Sequence, residues 1–175
     1  MSLADLRAYK KVGDRRFREV HGLYYEDVVV GEIVEHRPGR TVTEADNLWQ
    51  SLLALNPNPL HIDAAYAATT EWGRLLVSSL VTLSIVTGMS VNSTSFHTIA
   101  NLGWDEIRLL APVFAGDTLY AESEFLEKRL SRSRPGQGLV TCATRGFKAD
   151  GTLFLTCKRT FLLPTREGAE GKPSY

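Results

Sequence analysis

The segment from Ser78 to Met89 limits the possible folds most strongly. Leu80, Val81, Leu83, Ile85, Val86 and Met89 cover nearly every face of a helical wheel, and the polar residues among them are small Ser and Thr. A helix that is apolar all round is buried on most sides, and Ser78 or Ser79 is placed to start it. The surrounding stretch, Leu75 to Val91, falls short of the roughly 20 mainly apolar residues of a bilayer span. It reads as the buried helix of a globular domain. With 175 residues the chain can build one domain with a sizeable core around it.

Everything after that helix has the pattern of strands. Leu102 to Leu109 is followed by the break Ala111-Pro112, then Thr118 to Arg129, Gly138 to Phe147 and Thr152 to Leu163. Gly116-Asp117, Arg134-Pro135-Gly136 and Asp150-Gly151 between them are turn chemistry. Ahead of the helix, Tyr24 to Val34 leads into a first strand with a turn at Gly31-Glu32, and Thr41 to Thr43 is extended. Thr43 is a good N-cap for a helix through Leu48, Trp49, Leu52, Leu53 and Leu55, which recur at helical spacing. That helix must end at Asn56-Pro57-Asn58-Pro59, because a residue before proline is pushed out of the helical region. Asp63 then caps a short helix from Ala64 to Thr69. The expected class is α+β, an antiparallel sheet curled around a central helix. Residues 1–21, charged and poorly patterned, read as an extension, 22–165 as the domain and 166–175 as a polar tail.

Twenty basic and 20 acidic residues cancel to zero net charge, which argues against nucleic acid as the main partner. The N-terminal stretch is charged and lacks the apolar run of a secretory signal. The two cysteines, Cys142 and Cys157, are too few for a disulfide framework or a cysteine zinc site. With Asp150-Gly151 as a two-residue turn, Ala149 pairs with Thr152 and Cys157 faces Thr144. Cys142 then lies diagonally from Cys157 on the same face, a pair of reduced core thiols in a cytoplasmic protein. There is no metal-ligand cluster and no Gly-rich dinucleotide motif, so neither a metal nor a redox cofactor is expected.

The chemistry concentrates at Asn58-Pro59-Leu60-His61. Two prolines stiffen the corner from which His61 projects, and rigid placement is what an acid/base group requires. His21, His36 and His97 lack such punctuation. A histidine at this corner could instead satisfy a buried carbonyl.

Asn58-Pro59-Leu60-His61-Ile62-Asp63, with Gly73-Arg74 and the buried helix after it, resembles the MaoC-like hydratase/dehydratase family of hotdog proteins. The similarity includes Ala111-Pro112-Val113-Phe114-Ala115-Gly116-Asp117-Thr118 and runs from about Tyr24 to Pro164. It implies a hotdog fold, an enoyl-CoA substrate, addition or removal of water across its double bond, and a homodimer or higher homo-oligomer with no membrane partner. CoA would enter only as part of the substrate. The family motif has a catalytic Asp two residues before its Asn-Pro, and Asn56 stands there in this chain. An amide cannot accept a proton as a carboxylate does. Three readings follow: His61 acts as acid/base with Asn56 positioning water, a carboxylate such as Asp46, Glu44 or Asp105 substitutes, or only thioester binding remains.

The resemblance also implies an oxyanion donor at Ser78-Ser79, where the Ser79 N–H at the helix start would face the thioester carbonyl. The Ser78 hydroxyl could add a donor or cap the helix. Arg132 and Arg134, near Lys128 and Arg129, could hold CoA phosphates, or edge a solvated loop. Ser131-Arg132-Ser133-Arg134-Pro135-Gly136 and Asn101-Leu102-Gly103-Trp104-Asp105-Glu106 are similar to hydratases of branched dicarboxylic acyl-CoAs such as mesaconyl-CoA. For a second carboxylate Arg74 or Arg108 could serve. A thioesterase on the same fold and a non-catalytic acyl-CoA-binding protein are the competing functions.

Overall fold

The computed structural model describes residues 9–171, so the outermost ends of the expected extension and tail lie outside the described residues. The extension contains a hairpin, β1 (Tyr9–Gly13) and β2 (Arg16–Glu19), forming a two-stranded sheet of its own. β2 is exposed along its whole length, so no buried face leaves an alternating signature in the sequence.

The main sheet begins with β3 (Ile33–Thr41), later than the expected first strand, after a 3-10 turn at Tyr25–Asp27. Arg37-Pro38-Gly39 masked β3 in the sequence. β3 lies at a sheet edge, where proline is tolerated. Three helices follow: α1 (Glu44–Leu53), α2 (Pro59–Ile62) and α3 (Ala64–Ala68). Then come the long helix α4 (Ser79–Ser90), a π-type turn at Val91–Ser95, and strands β4 (Ala100–Leu109), β5 (Thr118–Leu130), β6 (Gln137–Lys148) and β7 (Leu153–Pro164). The five strands order as β3-β5-β6-β7-β4, all neighbours antiparallel. β3 and β4, the first two in sequence, therefore form the two edges.

α4 packs on the inner face of this sheet. Its Val81, Ile85 and Val86 join Val42, Leu119, Ala121, Phe154 and Leu155 in one core cluster. A second cluster of Leu23, Val28, Phe125, Val140, Phe161 and Leu163 fills the far end, under the loop before β3. The expected α+β arrangement of a sheet around a central helix is what forms.

Two expectations need correction. The β6–β7 connection is a three-residue loop: Lys148 N–H donates to Thr152 O at 2.9 Å, and Gly151, at φ 85°, donates to Lys148 O. Ala149 and Thr152 therefore do not pair. An extra residue at Phe154, between Leu155 opposite Gly146 and Leu153 opposite Phe147, restores the register, and Cys157 still faces Thr144. Cys142 and Cys157 are free and buried, and burial pushes the Cys157 thiol up to about 11. The second correction concerns α1, which ends at Leu53 instead of running through Leu55. Its leucine stripe points outward, with Leu53 and Leu55 81% and 88% exposed, while the buried positions are Asn47 and Ser51.

Candidate active site

His61 owes its place to a sequence of caps. Thr43 and Asp46 form a capping box at the start of α1, with Thr43 N–H donating to Asp46 at 2.8 Å. α1 ends where Leu55 turns to φ 52° and Asn56 N–H donates to Ser51 O at 2.9 Å. Asn58 Oδ1 accepts the Leu60 N–H at 3.0 Å and Pro59 opens α2. Asp63 closes α2 through its N–H to Pro59 O and caps α3 by accepting the Tyr66 N–H at 3.0 Å. The imidazole thus sits on a single helical turn pinned at both ends.

His61 Nδ1 lies 2.8 Å from Leu76 O. A carbonyl can only accept, so Nδ1 carries the hydrogen and the neutral ring keeps its lone pair on Nε2. The bond to a backbone carbonyl and a role in acid/base chemistry are compatible, since one nitrogen orients the ring and leaves the other free. His61 lines a cavity of about 370 Å³ with Trp72, Ser79 and Thr82, walled by Leu109 to Val113 and Phe154. Ser79 is the first residue of α4, and a helix's first N–H groups have no intrahelical acceptor. Ser78 is buried and makes no side-chain cap; its own N–H donates to Asn47 Oδ1 at 2.8 Å. His61, with one ring nitrogen bonded to Leu76 O, and Ser79, at the start of α4, therefore line one cavity.

The other predicted residues are not brought to it. Asn56 is outside the lining, its Oδ1 accepting the Asn58 N–H at 3.2 Å. No carboxylate among the described residues lines the cavity. Asp46 is occupied by Thr43 and by Arg40 at 2.5 Å; burial opposes ionisation, but these bonds outweigh it and hold the carboxyl below its ordinary value. Asp105 pairs in register with Lys158 on β7. Glu44 and Arg74 line a separate cavity of about 280 Å³, where the Arg74 guanidinium stacks 3.9 Å over the Phe114 ring. Arg108, exposed on β4, donates to Ile107 O at 3.2 Å. Arg132 and Arg134 line a cavity of about 570 Å³ with Arg129 and Leu102 at the β5–β6 turn. That turn is at the opposite end of the strands from Leu109 and Phe154.

Asn47 was missed. Its Nδ2 donates to His61 O at 2.8 Å and to Leu76 O at 3.2 Å. The one available signal was an amide and a small hydroxyl, Asn47 and Ser51, spaced i, i+4 opposite the leucine stripe.

The sequence profile described as mesaconyl-CoA hydratase matches residues 2–173. The chain belongs to that family. Among its relatives is the mesaconyl-CoA hydratase of Cereibacter sphaeroides, 31% identical over 153 residues, which are 87% of this chain and 44% of that protein. The chain spans about half the length of the curated relatives it matches first. Among solved structures, an Archaeoglobus protein described as a monoamine oxidase regulatory protein superposes with a TM-score of 0.73 at 32% identity, covering 82% of this chain and 95% of the other. A Mycobacterium tuberculosis protein described as a double hotdog fold has a TM-score of 0.76 at 24% identity, covering 87% of this chain and 47% of the other. The sheet wrapped around α4 is a hotdog fold, and the MaoC-like resemblance of the motif agrees with the family match.

Proposed function

We propose that this family member adds water to, or removes it from, the double bond of an enoyl-CoA thioester at the His61 cavity. The observation that carries the reading is His61 and Ser79 lining one apolar cavity, with His61 Nδ1 held by Leu76 O. In the hydration direction, His61 Nε2 takes a proton from water as its oxygen bonds to the β-carbon. The displaced electron pair moves to the thioester oxygen, where the Ser79 N–H stabilises the enolate. The protonated ring then returns its proton to the α-carbon. One group thus serves as base and acid in turn, which suits a cavity lined by no carboxylate. Asn56 contributes to the corner rather than to the water. The relatives' names support a small branched dicarboxylic acyl group such as mesaconyl as the substrate.

The working unit is a homodimer joined along β4 and α4. β4 is an exposed edge bearing Leu102, Trp104, Ile107 and Leu109, and the outer stripe of α4, at Leu80, Ser84 and Gly88, is uncovered. The double-hotdog relative, half covered by this chain, supports a second hotdog domain against the first. Antiparallel pairing of two β4 edges sets the start of one strand, beside Leu102 and the arginine cavity, next to the end of the other, where Leu109 lines the His61 cavity. The partner's arginines then approach the cavity mouth as phosphate ligands.

Purified protein incubated with mesaconyl-CoA and with crotonyl-CoA, following enoyl absorbance and free thiol together, tests the reaction. Loss of the enoyl signal without thiol release is expected. Thiol release would assign a thioesterase instead, and binding with neither signal a non-catalytic acyl-CoA carrier.

A further inference from the structure

Asn47 ties the two halves of the His61 cavity to each other. It is 3% exposed, on the inward face of α1, and bonds backbone groups of two other segments. Its Nδ2 donates to His61 O at 2.8 Å and to Leu76 O at 3.2 Å, and its Oδ1 accepts the Ser78 N–H at 2.8 Å. Leu76 O is also the carbonyl that receives the His61 ring at 2.8 Å, and Leu76 N–H donates to Leu60 O at 3.1 Å. The corner carrying the imidazole, the segment that orients its ring and the start of α4 thus converge on one amide.

The chemistry at position 47 is restrictive. Two carbonyls require donors and an N–H requires an acceptor, a set that a carboxamide supplies from one planar group. Asp lacks the donors, Leu lacks all three functions, and Gln adds a methylene to a buried site. A buried carbonyl or N–H left unpaired is unfavourable by about 1–3 kcal/mol, so the local backbone would shift to find new partners. Asn47 also decides which N–H stays free at the helix start. It takes that of Ser78 and leaves that of Ser79, the residue lining the cavity.

We propose that Asn47 is a positioning residue that fixes the tautomer of His61 and its separation from the Ser79 N–H, without itself touching the substrate. The kinetic consequence rests on the hydratase reading; the consequence for the ring does not. Asn47→Leu tests both. In the wild type, nitrogen-resolved NMR of the histidine rings shows neutral His61 as the Nδ1–H tautomer, and in Asn47→Leu the two tautomers mix. Hydration kcat per folded protein falls by at least about 10-fold while KM stays within about 3-fold, as expected when reacting groups are misplaced rather than a binding contact removed. In a His61→Ala background the same change lowers the rate by less than about 2-fold, because residues acting through one group are not additive.

An unchanged tautomer in Asn47→Leu, or the same loss of kcat with and without His61, would overturn the proposal and assign Asn47 to stability alone. Should Asn47→Leu not fold, Asn47→Asp keeps the volume and the acceptor while removing both donors, and the same tautomer mixing is expected. Wild-type protein without hydratase activity would overturn the functional reading, and the NMR comparison would then decide the role of Asn47.

Discussion

His61 and His36 are two histidines used in opposite ways. His61 has one nitrogen bonded to the Leu76 carbonyl and lines an open cavity. His36, 1% exposed, has both nitrogens occupied, by Ser93 Oγ at 2.7 Å and Ser123 Oγ at 2.8 Å. Ser123 continues to Thr144 at 2.8 Å, while buried Arg159 donates to Ser95 Oγ at 2.9 Å. Burial first, then the charges of Arg159 and Arg37, lower the His36 pKa to about 4. The unfolded chain protonates this histidine near 6.5, whereas the folded chain resists down to about 4, so the unfolded state holds more protons in that window. Stability from the neutral ring is complete above pH 6.5 and declines by about 3 kcal/mol as pH falls to 4. Urea titrations from pH 7 to 4 will therefore show the stability advantage of the wild type over His36→Asn shrinking with acidification. A constant gap would place the protonation elsewhere. The prolines around His61 pointed to a rigid corner, and a capped single turn forms there; nothing in the sequence marked His36 as a buried histidine with both nitrogens bonded. The partners of Asn47 were illegible because all three are backbone groups far from it in sequence.

Helices and strands were legible where an apolar run or turn residues marked them. The apolar run from Leu80 to Met89 identified α4, and the turn residues between the later segments identified the meander. β3 was hidden by Pro38, the β6–β7 register depended on a bulge that no residue pattern announces, and the leucines of α1 announced a helix without saying which way it faces. The all-round apolarity of α4 implied more burial than one chain provides. Val81, Ile85 and Val86 are buried, but Leu80, Ser84 and Gly88 remain open, and a Cβ added at Gly88 would meet nothing within 4 Å. Small residues at this spacing allow a second helix to approach closely. Ser84→Arg, outside the His61 cavity, is expected to convert a dimer to a monomer in sedimentation velocity and to lower turnover with it. A variant that sediments like the wild type would remove α4 from the interface.

In the whole molecule, the two cavities that the proposed function invokes lie at opposite ends of the hotdog sheet. One end holds His61, Ser79 and the apolar cavity; the other holds Arg129, Arg132 and Arg134. The clustering of Arg129, Arg132 and Arg134 could be read from the sequence, but their place at the other end of the sheet from His61 could not. The proposed pairing of two copies along β4 would bring one copy's arginines toward the other's His61 cavity. At the centre is the assignment of proton transfer to His61 alone. The direct measurement is steady-state hydration of mesaconyl-CoA and crotonyl-CoA by wild type and His61→Ala, with folding verified by circular dichroism. Loss of an isolated acid/base group predicts a fall in kcat of about 10²-fold or more with the fold unchanged. Turnover by His61→Ala close to that of the wild type would contradict it.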